Sequence, residues 1–112
     1  MLARENRIKS GDDFRQVMKF GKKQTGKATV LYLKRDESLA HARFGFIVSK
    51  AVGGAVTRNL VKRRLRVIAR ELLKAHPTGF DVVIRALPEA STLDWNRLQQ
   101  EVTDSAEAVF VR

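Results

Sequence analysis

Arg58, Lys62, Arg66 and Arg70 recur every four residues, with Arg63, Lys74 and Asn59 on the same side and Glu71 as the only acid of the segment. Guanidinium and ammonium groups at that spacing form a cationic ridge, and the chemistry open to such a ridge is binding. Arginine makes bidentate contacts with phosphate oxygens, so a helix carrying the ridge can track a nucleic-acid backbone. Like charges at i, i+4 cost roughly 0.2–0.5 kcal/mol per pair in an isolated helix. The ridge is therefore mildly self-destabilising until phosphates neutralise it, whereas an ordinary solvated face interleaves Glu with Lys. Neutralising about six phosphates predicts a slope of log K against log salt of roughly −4 to −5.

Groups that could break bonds are missing by comparison. His41 and His76 are the only histidines and sit in loop-like contexts with no partner at ligand or triad spacing. Asp12-Asp13 falls in the first turn of a helix, where the macrodipole accounts for a carboxylate pair. Gly53-Gly54-Ala-Val-Thr57 lacks the Gly-Lys-Ser/Thr end of a phosphate-binding Walker loop. The chain has no cysteine, which excludes disulfides, thiolate metal sites and thiol nucleophiles. No catalytic residue and no metal ligand is predicted in this chain.

The charge distribution agrees with a binding role. Twenty-two Lys and Arg face 12 Asp and Glu, a formal charge of +10. Residues 1–76 hold 19 basic and 6 acidic side chains, and residues 77–112 hold 3 and 6, so the excess is concentrated in the first two-thirds. Hydrophobic residues make up 44%, enough for a core, and one domain over 1–112 is expected. No apolar run approaches the roughly 20 residues that cross a bilayer, and the amino terminus lacks the apolar stretch of a secretory signal. A cytoplasmic protein with an anionic partner and no membrane is the expectation.

The elements that must position the ridge follow from pattern. Ser10-Gly-Asp-Asp13 has the form of a helix start, Phe14, Val17 and Met18 form one stripe, and Gly21 offers a left-handed stop. Residues 22–27 read as an exposed connection with room for a short strand. Ala28–Leu33 reads as a strand, Lys34–Ser38 as a polar turn, and Arg43–Ser49 as a second strand pairing antiparallel with the first. A helix is predicted from Thr57, as its cap, to about Ala75. Its Val61, Leu65, Ile68 and Leu72 fall within roughly a 60° arc facing the core. His76-Pro-Thr-Gly79 ends it, Phe80–Ile84 is a buried strand, and a last helix runs from about Asp94 to Val109. The class is α+β, with one mostly antiparallel sheet and the order α-β-β(-β)-α-β-α.

The segment Val48-Ser49-Lys50, the loop Gly53-Gly-Ala-Val and the run Thr57-Arg58-Asn59-Leu-Val-Lys62-Arg63-Arg-Leu-Arg66 resemble the protein subunit of bacterial ribonuclease P, whose signature is Arg-Asn-Arg-x-Lys-Arg-x-x-Arg. Arg7-Ile-Lys-Ser-Gly-Asp-Asp-Phe14 and Lys19-Phe-Gly21 are similar to the family's opening helix, and Gly79-Phe-Asp-Val-Val-Ile-Arg85 to its last strand. The chain departs from the pattern at Leu60, Ala51, Met18 and Leu87.

The resemblance implies a small sandwich like the second domain of ribosomal protein S5. It implies a protein that binds a catalytic RNA and the single-stranded 5′ leader of precursor tRNA, promoting endonucleolytic removal of the leader. Catalysis and Mg²⁺ would then belong mainly to the RNA. By the same resemblance Arg58, Asn59, Lys62, Arg63 and Arg66 would meet the RNA subunit. Phe14, Met18 and Tyr32 would line a leader cleft, with Lys50 at its edge and Arg85 assisting. The alternatives are a ribosomal-type structural RNA-binding protein, a stand-alone nuclease and a helix-turn-helix DNA regulator. The last needs a helix just before residue 57, where Phe44–Val48 reads as strand, so DNA is not an expected partner.

Overall fold

The computed structural model describes residues 2–111. Helix α1 (Gly11–Phe20) starts as the sequence predicts, with the Ser10 hydroxyl accepting a hydrogen bond from the Asp13 amide at 3.1 Å. Its stop differs. Gly21 is extended (φ −78°, ψ 162°), not left-handed. Glycine is required there by close approach, because a Cβ would lie 2.4 Å from the Val17 carbonyl oxygen and 2.9 Å from that of Leu33.

Three strands follow: β1 (Lys22–Thr25), β2 (Thr29–Arg35) and β3 (Arg43–Ile47). Strand β2 runs two residues beyond the expected Leu33, and the turn begins only at Asp36, whose carboxylate accepts from the Ser38 amide and hydroxyl. Those bonds hold the Asp36 carboxyl below its ordinary range. Ala28 lies just outside β2. Its amide and that of Lys27 donate to Glu101 of the last helix, as does the Thr29 hydroxyl at 2.6 Å.

Helix α2 (Ala55–Ala75) leads to β4 (Phe80–Ala86), and α3 (Trp95–Phe110) ends the fold. Thr57 is not the cap of α2. The helix starts at Ala55, and its cap position, three residues before Thr57, is Gly54, which offers no side-chain cap. The preceding Gly53 has φ +154°, and its Cβ position lies 3.0 Å from the Thr57 side chain, so the chain turns into the helix through glycine geometry. Asp94 caps α3, accepting from the Arg97 amide at 2.9 Å.

The sheet order is β1-β2-β4-β3. β1 with β2 and β2 with β4 are antiparallel, and β3 with β4 is parallel. The sheet is therefore mixed, and the expected antiparallel pairing of β3 with β2 does not occur. The reason is burial: β4 is covered at every position except Arg85, and such a strand takes a central place between two neighbours. The 21-residue α2 supplies the long crossover that a parallel β3–β4 pair needs.

The two sheet faces divide the core. Leu31, Leu33, Phe44, Val82 and Ile84 pack with Val61, Leu65 and Ile68 of α2 and with Leu98, Val102 and Val109 of α3. On the other face Val30, Tyr32 and Val83 pack with Ile8 and Val17 under α1, with Phe14 and Met18 against them.

Candidate nucleic-acid interface

Helix α2 buries Val61, Leu65, Ile68 and Leu72, as its spacing predicts, and this fixes where its cations point. Four residues advance a helix by about 40° beyond a full turn. The series Arg58, Lys62, Arg66, Arg70 therefore winds from flank to outer face rather than forming one straight ridge. Arg58 and Lys62 are half-buried, while Arg66 and Arg70 are exposed, as are Asn59 and Arg63. Among the described residues the only ion pair on α2 joins Glu71 to Lys74 at 3.3 Å. The Arg58 Nε–H is buried and donates to nothing, an unmet demand in a group that normally finds an acceptor.

The aromatic set comes together on the α1 face. Phe14, Met18 and Tyr32 belong to one cluster, but unequally: Phe14 and Met18 are half-buried, and Tyr32 is 7% exposed. Tyr32 is thus a floor, with the Lys23 ammonium 5.9 Å from its ring centroid. Arg85 stands exposed on β4, opposite Val30 and Ile47 in the ladder, so it points from this same face. Lys50 is exposed in a 3₁₀ turn, Lys50–Val52, that connects β3 to α2.

The two sets meet at the edge formed by β3. Phe14, Gly45 and Phe46 line a cavity of about 210 Å³ together with Arg7, Lys62 and Arg66. The ring of Phe14 sits where a Cβ of Gly45 would be, 2.4 Å away. A glycine between two aromatics in a strand marks close approach by another group, which was the available signal for this contact. Sequence reasoning also passed over Arg7, whose Nε and Nη2 donate to the Leu2 carbonyl. Phe20 was missed as well: it is 62% exposed, with the Lys19 ammonium 5.3 Å from its ring. It lies off the apolar stripe of α1, so only exposure reveals it.

One charged group on this face is fully engaged. Arg43 donates to both carboxylate oxygens of Asp81, at 2.8 and 2.7 Å, and to Asp13 of α1 at 3.4 Å. The Asp81 hydrogen bond raises the Arg43 pKa further above its ordinary value, so the guanidinium stays charged. This network joins β3, β4 and the first turn of α1. Elsewhere His76 stacks on Phe110 at 4.0 Å, which gives that exposed histidine a packing role. Among the described residues no three His, Cys, Asp or Glu side chains gather where they could hold a metal ion, and no helix is long and apolar enough to cross a membrane.

A family model described as Ribonuclease P matches residues 2–109. The ribonuclease P protein component of Clavibacter michiganensis is 44% identical over 105 residues, covering 94% of this chain and 93% of the relative. That of Pseudarthrobacter chlorophenolicus is 39% identical over 112 residues, covering 100% of this chain and 82% of the relative. Among solved structures, the Staphylococcus aureus RNase P protein superposes with a TM-score of 0.77 at 30% identity, covering 94% of this chain and 92% of that one. The Thermotoga maritima RNase P protein gives 0.76 at 25% identity, covering 88% and 92%. Matched along nearly all its length by the family and by its relatives, the chain belongs to the ribonuclease P protein family, the protein component of an endoribonuclease.

Proposed function

We propose that the whole chain acts as one RNA-binding domain that holds a catalytic RNA through α2 and the single-stranded 5′ leader of precursor tRNA between α1 and the sheet. The observation that carries this reading is the unpaired state of the α2 cations beside an aromatic cleft. Arg58, Lys62, Arg63 and Arg66 have no internal acid, and Lys62 and Arg66 share a cavity with Phe14. A continuous surface of cations leading to ring faces suits a strand passing from a folded RNA into a stacking cleft. Phosphates neutralise the first part, and bases stack on the second at about 1–3 kcal/mol each with little sequence demand.

In this reading the protein supplies no reacting group, and the leader is released by hydrolysis of a phosphodiester within the RNA partner's active centre. Mg²⁺, when bound there, supplies charge neutralisation at the cleaved phosphate. In this reading the RNA is its main holder, as the family resemblance implies. The protein's contributions are binding the RNA subunit with Arg58, Asn59, Lys62, Arg63 and Arg66, and holding the leader with Phe14, Met18, Tyr32, Lys50 and Arg85. These raise substrate affinity and lower the Mg²⁺ concentration needed. A ribosomal-type structural role would leave the cleft beside Phe14 without a purpose.

The test is reconstitution. Added to a bacterial ribonuclease P RNA at low Mg²⁺, the protein restores leader removal, and protein freed of RNA cleaves nothing. Failure to restore cleavage overturns the proposed role, and cleavage by RNA-free protein overturns the assignment of catalysis to RNA.

A further inference from the structure

Three of the five large hydrophobic side chains exposed among the described residues lie on α2: Val56 at 85%, Leu60 at 40% and Val67 at 47%. Their spacing of four and seven places them, with Arg63, within roughly a 60° arc nearly opposite the buried stripe. Arg66 and Arg70 border this seam on one side and Arg64 on the other, and none of the three has an internal acid. A shallow concavity of about 370 Å³ follows the same face, lined by Val67, Arg63, Arg66, Arg70, Glu71 and Lys74.

A face that only tracked phosphates would have no use for an apolar seam. Valine is a middling helix former, so propensity does not explain Val56 and Val67 either. The seam therefore meets something that is apolar where the helix is apolar and anionic where it is basic. A second copy of the chain fails the second condition, because the helix carries seven basic residues against one acid and would oppose its own charge. An RNA duplex meets both. Its minor groove is wide and shallow and displays sugar carbons beside the 2′-hydroxyls and base edges, between two phosphate backbones, whereas its deep, narrow major groove does not admit side chains.

We infer that α2 lays its outer face in a shallow minor groove of the RNA partner, with Val56, Leu60 and Val67 against ribose and base edges and the surrounding arginines on the bordering phosphates. The inference rests on the reading of α2 as the RNA-docking helix and adds to it that the centre of the contact is dry and insensitive to salt.

Affinity for the ribonuclease P RNA, measured by filter binding across a potassium chloride series, separates the possibilities. Leu60→Ser and Val67→Ser each weaken binding about fivefold to tenfold at every salt concentration and leave the slope unchanged. Arg63→Ala instead flattens the slope by roughly 0.9. Both serine variants lie on the solvent side and keep the wild-type circular dichroism spectrum. Wild-type affinity in both, or a flattened slope, overturns the inference while leaving α2 as the docking helix. A dimer of the free protein that Leu60→Ser dissolves in sedimentation also overturns it, in favour of self-association. No binding by the wild-type protein at any salt overturns the underlying reading itself.

Discussion

Arg43 and Arg66 belong to opposite economies of charge within one small fold. Arg43 is closed in on two carboxylates, with Asp81 only 6% exposed at its side chain, and it ties α1, β3 and β4 together. Arg66 and its neighbours on α2 have no acid to answer them, although the carboxyl-terminal third of the chain holds an excess of acids. Those acids are spent elsewhere: Glu101 holds the amides before β2, Asp94 caps α3, and Asp81 holds Arg43. In the reading proposed above, the α2 cations that no carboxylate answers are the ones an external anion would neutralise. The two arginines thus differ in their partner, which composition alone does not reveal.

Removing Arg43 produces the largest expected effect. Arg43→Ala leaves the buried Asp81 without its counter-charge and lowers stability by about 3–5 kcal/mol in urea unfolding. Arg66→Ala changes stability by no more than about 0.5 kcal/mol. Equal effects would erase the distinction between the two arginines. The reverse experiment comes next in size. Arg58→Ala combined with Arg66→Ala lowers affinity for the RNA subunit by about a hundredfold near 50 mM salt and flattens the salt slope by about 1.4–1.8. Unchanged affinity would mean that the unpaired helix is merely solvated.

The same comparison explains what could be read without coordinates. Local rules placed the Ser10 cap and the start of the last helix near Asp94, and the apolar period of α2 identified Val61, Leu65, Ile68 and Leu72, because each depends on residues within one or two turns. The position of β3 depends on which strand needs cover on both sides, a property of the whole sheet, and a short polar turn after β2 misleadingly suggests a hairpin. Gly21 does end α1, but it looked left-handed because left-handed geometry and close backbone approach both select glycine. At the site, the cations were legible by type and spacing, whereas the spacing of Phe14 reads as core and only the family resemblance puts it in a cleft. The burial of Tyr32 and the contact of Phe14 with Gly45 were not legible, since both come from α1 folding onto strands distant in sequence.

Phe14 tests the cleft side of the comparison at intermediate size. Phe14→Ala weakens binding of precursor tRNA to the assembled enzyme by about 1–3 kcal/mol and leaves mature tRNA binding unchanged. Equal losses for both ligands would remove the leader from the cleft.

Lys50 sharpens the boundary between cleft and helix, and its effect is the smallest. It sits on the turn that joins β3 to α2, so its place in the chain fits either region. A cation on a single strand contributes a salt slope of about 0.7, against about 0.9 on a duplex. Assigned to the leader, Lys50→Ala costs precursor tRNA binding about fourfold near 0.15 M salt, flattens that slope by about 0.7, and spares assembly with the RNA subunit. A loss in assembly with no loss in leader discrimination would move Lys50 to the helix and place the end of the cleft at Arg85. Because α2 begins only five residues later, such a result would also mean that the RNA-docking surface extends past the Gly53–Gly54 bend onto the end of the sheet.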